Sequence, residues 1–134
     1  MFAGLDDMIV ESAAMGASGW IAGLVNALPA ESVRLFDLAR SGDWTEARAL
    51  YDWFLPLLRL DTLSKFVQLI KLVQVEVGRG TARVRPPRLE LTGAEYDDAL
   101  ALIRDRLAMR PRFTAGRDAR GARPAPAVSG AGAR

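Results

Sequence analysis

The sequence predicts an α/β chain that is mostly helical, and three observations carry that prediction. Residues 18–26, S-G-W-I-A-G-L-V-N, form a short uncharged run without alternation, the pattern of a parallel strand covered on both faces. Apolar residues at helical spacing recur before and after it, giving the βα rhythm of a parallel sheet followed by three helices. Finally, 134 residues that are 50% hydrophobic and 25% charged can bury a real core, which argues for one domain and a tail rather than for a disordered chain.

The elements follow in order. Phe2, Ala3 and Gly4 read as the stub of a strand. Asp6 and Asp7 then stand where carboxylates cap a helix, which runs to about Met15 and stops at Gly16. After the strand at 18–26, Pro29 suits the first position of a helix over 29–39, closed by Ser41 and Gly42. Asp43, with Glu46 three residues on, opens a helix over 43–59 in a variant of the capping box. Its apolar stripe is Ala47, Leu50, Tyr51, Phe54 and Leu58, and Pro56 is expected to kink it or force a restart. A helix over 63–77 follows, with Phe66, Leu69, Ile70, Val73 and Val77 on one face. Thr92 and Glu95 frame a capping box for the last helix, 92–109, with Tyr96, Leu100, Ile103 and Leu107 spaced for burial. Between these two helices, residues 78–91 contain V-R-P-P-R, which is extended because each proline pushes its predecessor out of the helical region. The chain thus divides into a βα region at 1–42, a helical region at 43–110 and a basic, disordered tail at 111–134.

Charge is unevenly spread. The net charge is +2, yet the tail holds five arginines against Asp118, so residues 1–110 carry 13 basic against 15 acidic side chains. The folded part is mildly acidic, and no aromatic interleaves with the tail arginines beyond Phe113, so no nucleic-acid partner is expected. Residues 12–30 hold no charge, but serines, Asn26, Pro29 and glycines dilute them and no Lys or Arg flanks them, so no membrane span is expected. Asp6 and Asp7 occupy what would be the basic leader of a secretory signal, which predicts a cytoplasmic chain.

The absence of cysteine and histidine excludes disulfides, the usual zinc, haem and iron–sulfur ligand sets, and Ser-His-Asp or Cys-His catalysis. No metal and no cofactor are expected. What remains for chemistry is carboxylates, two lysines and two tyrosines. Lys65 and Lys71 both fall in a predicted helix, Lys71 off its apolar stripe, which reads as solvation rather than as a desolvated amine. Tyr51 and Tyr96 lie on apolar faces and read as core. Trp20, Trp44 and Trp53 are scattered and read as packing residues. Asp6 and Asp7 are helix caps that also stand at the carboxyl end of a strand, where α/β folds place functional loops. Asn26 reads either as a loop former bonded to its own backbone or as a ligand contact.

Three stretches in this order carry a family resemblance: F-A-G-L-D-D at 2–7, G-A-S-G-W-I-A-G-L-V-N at 16–26 and S-G-D-W-T-E-A-R at 41–48, with V-R-P-P-R-L at 84–89 in support. They resemble the C-terminal portion of the dihydrodipicolinate synthase and N-acetylneuraminate lyase family, the class I aldolase-like (β/α)8 barrels. The resemblance covers roughly residues 2–110. It implies an enzyme in which a lysine on the sixth strand forms a Schiff base with pyruvate or another 2-keto acid, aided by a tyrosine on the fifth strand and a Gly-Thr-Thr-type turn after the second. None of those positions falls in this chain, which the resemblance places from the seventh strand onward with 18–26 as the eighth, so no catalytic residue is expected in it. Gly4, Asp6, Asp7, Ile21 through its backbone carbonyl, and Asn26 are left as pocket wall.

Length agrees, because a (β/α)8 barrel takes about 250 residues. The chain is then the last one or two βα units of a TIM barrel with three helices that pack beside it and build a homo-oligomer, or that await an upstream barrel half. Its motifs are most similar to members that deaminate a hydroxy-pyrroline carboxylate. Two functions follow: the C-terminal part of a Schiff-base lyase or deaminase, inactive alone for want of the lysine strand, or a non-catalytic helical module for interaction and oligomerisation.

Overall fold

The computed structural model describes residues 1–112. The tail expected over 111–134 therefore lies, from residue 113 onward, outside the described residues.

Two strands, β1 (Phe2–Ala3) and β2 (Gly19–Trp20), pair in parallel, with Phe2 opposite Gly19 and Ala3 opposite Trp20. The amide of Ser18 donating to the Met1 carbonyl and that of Ile21 to the Ala3 carbonyl, each at 2.9 Å, extend the ladder by a residue on either side. The parallel pairing agrees with the sequence, but the expected strand over 18–26 is shorter. Past Ile21 the chain leaves the sheet and closes a 3-10 turn, Leu24–Asn26. The cause is Asp6, whose carboxylate takes the amides of Gly23 and Leu24 and so removes them from any ladder.

The same carboxylate corrects a second expectation. Asp6 and Asp7 do not cap the first helix: they form a 3-10 turn, Asp6–Met8, and helix α1 (Ile9–Ala14) follows with Met8 at its N-cap and no side-chain bond there. A carboxylate turned toward the β2 loop is not available to the amides of its own helix.

Helix α2 (Pro29–Ser41) starts on its proline and ends on Gly42, whose φ of +77° is the left-handed conformation that terminates helices at little steric cost. Helix α3 (Trp44–Leu58) is capped as expected, the Asp43 carboxylate accepting from the Glu46 amide at 3.4 Å. It runs through Pro56 and passes into a 3-10 turn, Arg59–Thr62, only after Leu58. The carbonyl that Pro56 deprives of a donor belongs to Asp52, which faces water, while Phe54, Leu57 and Leu58 are buried and hold the turn in place.

Helix α4 (Phe66–Glu76) buries Leu69, Ile70 and Val73 as its stripe predicts, but Phe66, at its first position, is 40% exposed. Helix α5 (Gly93–Ala108) has Thr92 at its N-cap with no side-chain bond, and Glu95 forms an ion pair with Lys65 instead of closing a capping box.

The core is continuous from the strands to the last helix. Ile9, Leu24, Leu28, Leu35, Phe54, Leu57, Leu58, Val73 and Ile103 are all fully buried. Each such side chain contributes about 1.5–3 kcal/mol relative to exposure. Trp53 stacks on Phe54 with ring centroids 5.2 Å apart and donates its indole N–H to the Arg106 carbonyl at 2.7 Å, which ties α3 to the last turn of α5. Trp44, on the same helix, is exposed, and Trp20 is half-buried. Arg110 returns from the end of α5 to α2, its Nε donating at 2.6 Å to Glu31, a carboxylate only 2% exposed whose other oxygen has no partner among the described residues.

Candidate functional site

Two parallel strands put their carboxyl ends side by side, and the segments that leave those ends carry the residues singled out in the sequence. Gly4 follows β1 directly and is exposed. Ile21 follows β2, and its side chain is 72% exposed. Both stand at one edge of the molecule because their neighbours Ala3 and Trp20 are paired.

Asp6 is fully buried. It accepts from the Trp20 indole at 3.1 Å and the Gly23 amide at 3.2 Å on one oxygen, and from the Leu24 amide at 2.8 Å on the other. Burial pushes its carboxyl above the usual range, the amide of Leu24 opposes that shift, and the charge of Asp61 adds to it. Asp61, from the 3-10 turn after α3, lies against the same loop: a Cβ on Gly23 would come within 2.4 Å of its carboxylate and 2.8 Å of the Ile70 side chain. Its carboxyl is also raised, by burial and then by Asp7.

Asp7 is half-buried, and its carbonyl accepts the hydroxyl of Tyr51 from α3. The Glu11 carboxylate stands 3.3–3.4 Å from the same hydroxyl. Burial and then the negative charge of Glu11 push the Tyr51 phenol up to about 12. Tyr51 is thus a hydroxyl held neutral as a tie between α3 and the turn after β1, more than a filler of the core stripe.

Asn26 is exposed. Its amide donates to the Gly23 carbonyl at 2.8 Å, and its own carbonyl accepts from Gln74 at 3.3 Å, the behaviour of a loop-forming asparagine. Lys65 caps the start of α4 and pairs with Glu95, and Lys71 is half-buried on the same helix, so neither amine stands on a strand. Two concavities lie in the helical part and include none of these wall residues. One, of about 80 Å³, is lined by Gln68, Leu72 and Tyr96 among others, and the other, of about 230 Å³, by Arg34, Leu38, Glu46, Leu50 and Pro111 among others. No group of three or more carboxylates among the described residues is placed to hold a metal ion, and no described helix is long and apolar enough to cross a membrane.

The structure thus brings Asp6, Trp20, Gly23 and Asp61 together, with Asn26 bonded to the Gly23 carbonyl as a turn residue. Sequence reading missed Trp20 and Asp61 in this role. Spacing carried no signal for Asp61, because it reaches the loop only through the packing of α3 and the turn after it.

Against this geometry, the model of the dihydrodipicolinate synthetase family matches residues 1–106. The chain belongs to that family. Among curated members, a probable 5-dehydro-4-deoxyglucarate dehydratase of Acinetobacter baumannii is 36% identical over 93 residues, 67% of this chain and 31% of that protein. A 4-hydroxy-tetrahydrodipicolinate synthase of Acidobacterium capsulatum is 29% identical over 94 residues, 70% of this chain and 31% of that one. Among solved structures, the dihydrodipicolinate synthase of Oceanobacillus iheyensis superposes with a TM-score of 0.70 at 20% identity, covering 80% of this chain and 37% of that one. The enzyme from Bacillus clausii does so at 0.68 and 21%, covering 81% and 36%. The chain therefore spans about a third of the length of the family members it matches, and its fold corresponds to a portion of their barrel architecture, seen here as two short parallel strands and a mostly helical remainder.

Proposed function

We propose that this chain forms the C-terminal end of a cytoplasmic Schiff-base lyase or deaminase of the dihydrodipicolinate synthetase family, acting on pyruvate or another 2-keto acid, and that it does not turn substrate over by itself. The observation that carries this reading is the parallel pair β1 and β2, with Gly4 and Ile21 leaving its carboxyl end on a chain whose two lysines both belong to α4 and its cap. A Schiff base needs an amine that loses its proton near neutral pH in a desolvated pocket. Lys65 is instead spent on an ion pair with Glu95.

In this role Gly4, the Ile21 carbonyl and Asp7 form part of the pocket wall, with Asn26 shaping the loop beyond it and Asp6 standing behind. Gly4 faces open space, where a Cβ would meet nothing within 4 Å. The helical part supplies the contact with a second copy or with an upstream barrel half. Likeness of the motifs favours deamination of a hydroxy-pyrroline carboxylate, and dehydration of a 5-dehydro-4-deoxy sugar acid is the competing chemistry that a relative's name suggests.

Borohydride reduction in the presence of pyruvate tests the reading, because it fixes any imine as a stable amine. Mass spectrometry of the chain alone is expected to show no adduct. A stoichiometric adduct on Lys65 or Lys71 overturns the proposal. A second reading, a non-catalytic helical module, is favoured by the core that α3, α4 and α5 share. A soluble, cooperatively folding monomer in sedimentation supports the module, and aggregation relieved by co-expressing an upstream half supports the barrel end.

A further inference from the structure

We infer that Asp6 is a positioning residue: its buried carboxylate clamps the loop after β2 on both sides of Ile21, and so sets where that backbone carbonyl points, without touching substrate itself. Ile21 lies between two anchors. Before it, the Trp20 side chain is bound to Asp6 Oδ1, and after it the Gly23 and Leu24 amides are bound to Oδ1 and Oδ2. The Ile21 amide is fixed in addition to the Ala3 carbonyl. The residue is thereby held at its amide and on both flanks while its side chain stays 72% exposed.

The clamp has the chemistry of a carboxylate and of little else. Three N–H donors converge on two oxygens at 2.8–3.2 Å, and an amide in that place would turn a donor toward at least one of them. A second carboxylate, Asp61, closes the far side of the loop against Gly23, where a Cβ would force the Asp61 and Ile70 side chains to move. The charged and titratable groups around the clamp are Asp61 and Arg59 from the turn after α3, Asp7 beside it in sequence, Glu11 from α1, and the Tyr51 hydroxyl from α3, which binds the Asp7 carbonyl. Arg59 is the one cation in this set and acts on Tyr51, whereas the three bonds to Asp6 come from neutral N–H groups. Asp6 is therefore held in place by neutral donors alone, and its proton affinity depends on whether Asp61 is charged.

The inference rests on the reading of Ile21 as pocket wall, but its test does not. On the 134-residue chain, hydrogen exchange and the indole N–H resonance of Trp20, assigned with Trp20→Phe, read the clamp directly. Asp6→Asn is expected to speed exchange at the Gly23 and Leu24 amides by about fivefold or more, the factor one net hydrogen bond supplies, and to move the Trp20 indole resonance. The amides of Phe54 and Leu57 in α3 should be unchanged. In the unmutated chain the indole resonance should titrate with Asp6, above the usual carboxylate range, and Asp61→Asn should lower that midpoint. Trp20→Phe keeps the two backbone anchors, so Gly23 and Leu24 should stay protected, and the Phe54 and Leu57 amides report whether each variant is folded. Unchanged exchange at Gly23 and Leu24 in Asp6→Asn, or equal acceleration throughout α3, overturns the inference. An imine trapped on Lys65 or Lys71 would instead overturn the proposed function and leave this exchange pattern intact.

Discussion

The βα region through β2 and its loop and the helical region from α2 to α5 are built on different principles. The helices are closed by local signals and by a shared core: Pro29 starts one, Gly42 ends it, Asp43 caps the next, and Phe54, Leu57, Val73 and Ile103 bury their stripes together. The strands are two residues each, Phe2 in β1 and Ile21 just past β2 are exposed, and the loop after β2 takes its geometry from one buried carboxylate. A parallel pair normally has both faces covered. The difference teaches that most of the large buried side chains come from the helices, and that the strand end is arranged for position.

The strongest way to break this contrast is to truncate one large side chain in each region. Phe54→Ala in the helical core should cost about 3–5 kcal/mol, enough to unfold much of a marginal domain, whereas Phe2→Ala at a 70% exposed position should stay within about 0.5 kcal/mol. Chemical denaturation of the two variants checks this, and comparable losses would dissolve the distinction. Next in size, Arg110→Ala leaves the buried Glu31 carboxylate without its cation and should cost about 2–3 kcal/mol, below the usual figure for a fully buried pair because Arg110 is partly in water. Replacing Glu31 by Gln in the same background should restore part of the loss in a thermal melt.

The two expected helix caps give a sharper comparison. Asp43→Ala removes a bond that the structure shows and should cost about 1 kcal/mol, while Thr92→Ala removes none and should cost only a few tenths. Equal effects in urea titrations would contradict the cap assignments. A last comparison is one of pH. The Tyr51 phenol is raised from 10 to about 12, so the folded state retains its proton more tightly than the unfolded chain does. The sign is fixed: the Tyr51 contribution is complete below pH 10 and lost as pH rises toward 12. Tyr51→Phe should flatten that decline in stability measured across the range.

Legibility divided along the same line. Pro29, Gly16, Gly42 and Asp43 were readable because each acts on residues within one turn of itself, where sequence distance and spatial distance coincide. The parallel relation of the opening residues to the 18–26 run was readable too, from its lack of charge and of alternation, although only Gly19–Trp20 of that run is strand. Asp6 was misread as a helix cap because its partners Trp20, Gly23 and Leu24 are 14 to 18 residues away. Glu95 was misread as half of a capping box because Lys65 competes for it across 30 residues.

Sequence alone determined the class of fold, the order of elements and the absence of thiol and imidazole side chains from this chain, because composition and short-range periodicity act before any packing exists. Only the tertiary structure decided where β2 stops, which carboxylate serves the loop after it and which turn the Tyr51 hydroxyl binds. A buried polar group must find its partners wherever the fold brings them, and the packing of α3 against the turn after β1 is what brings Tyr51 and Asp61 to this site.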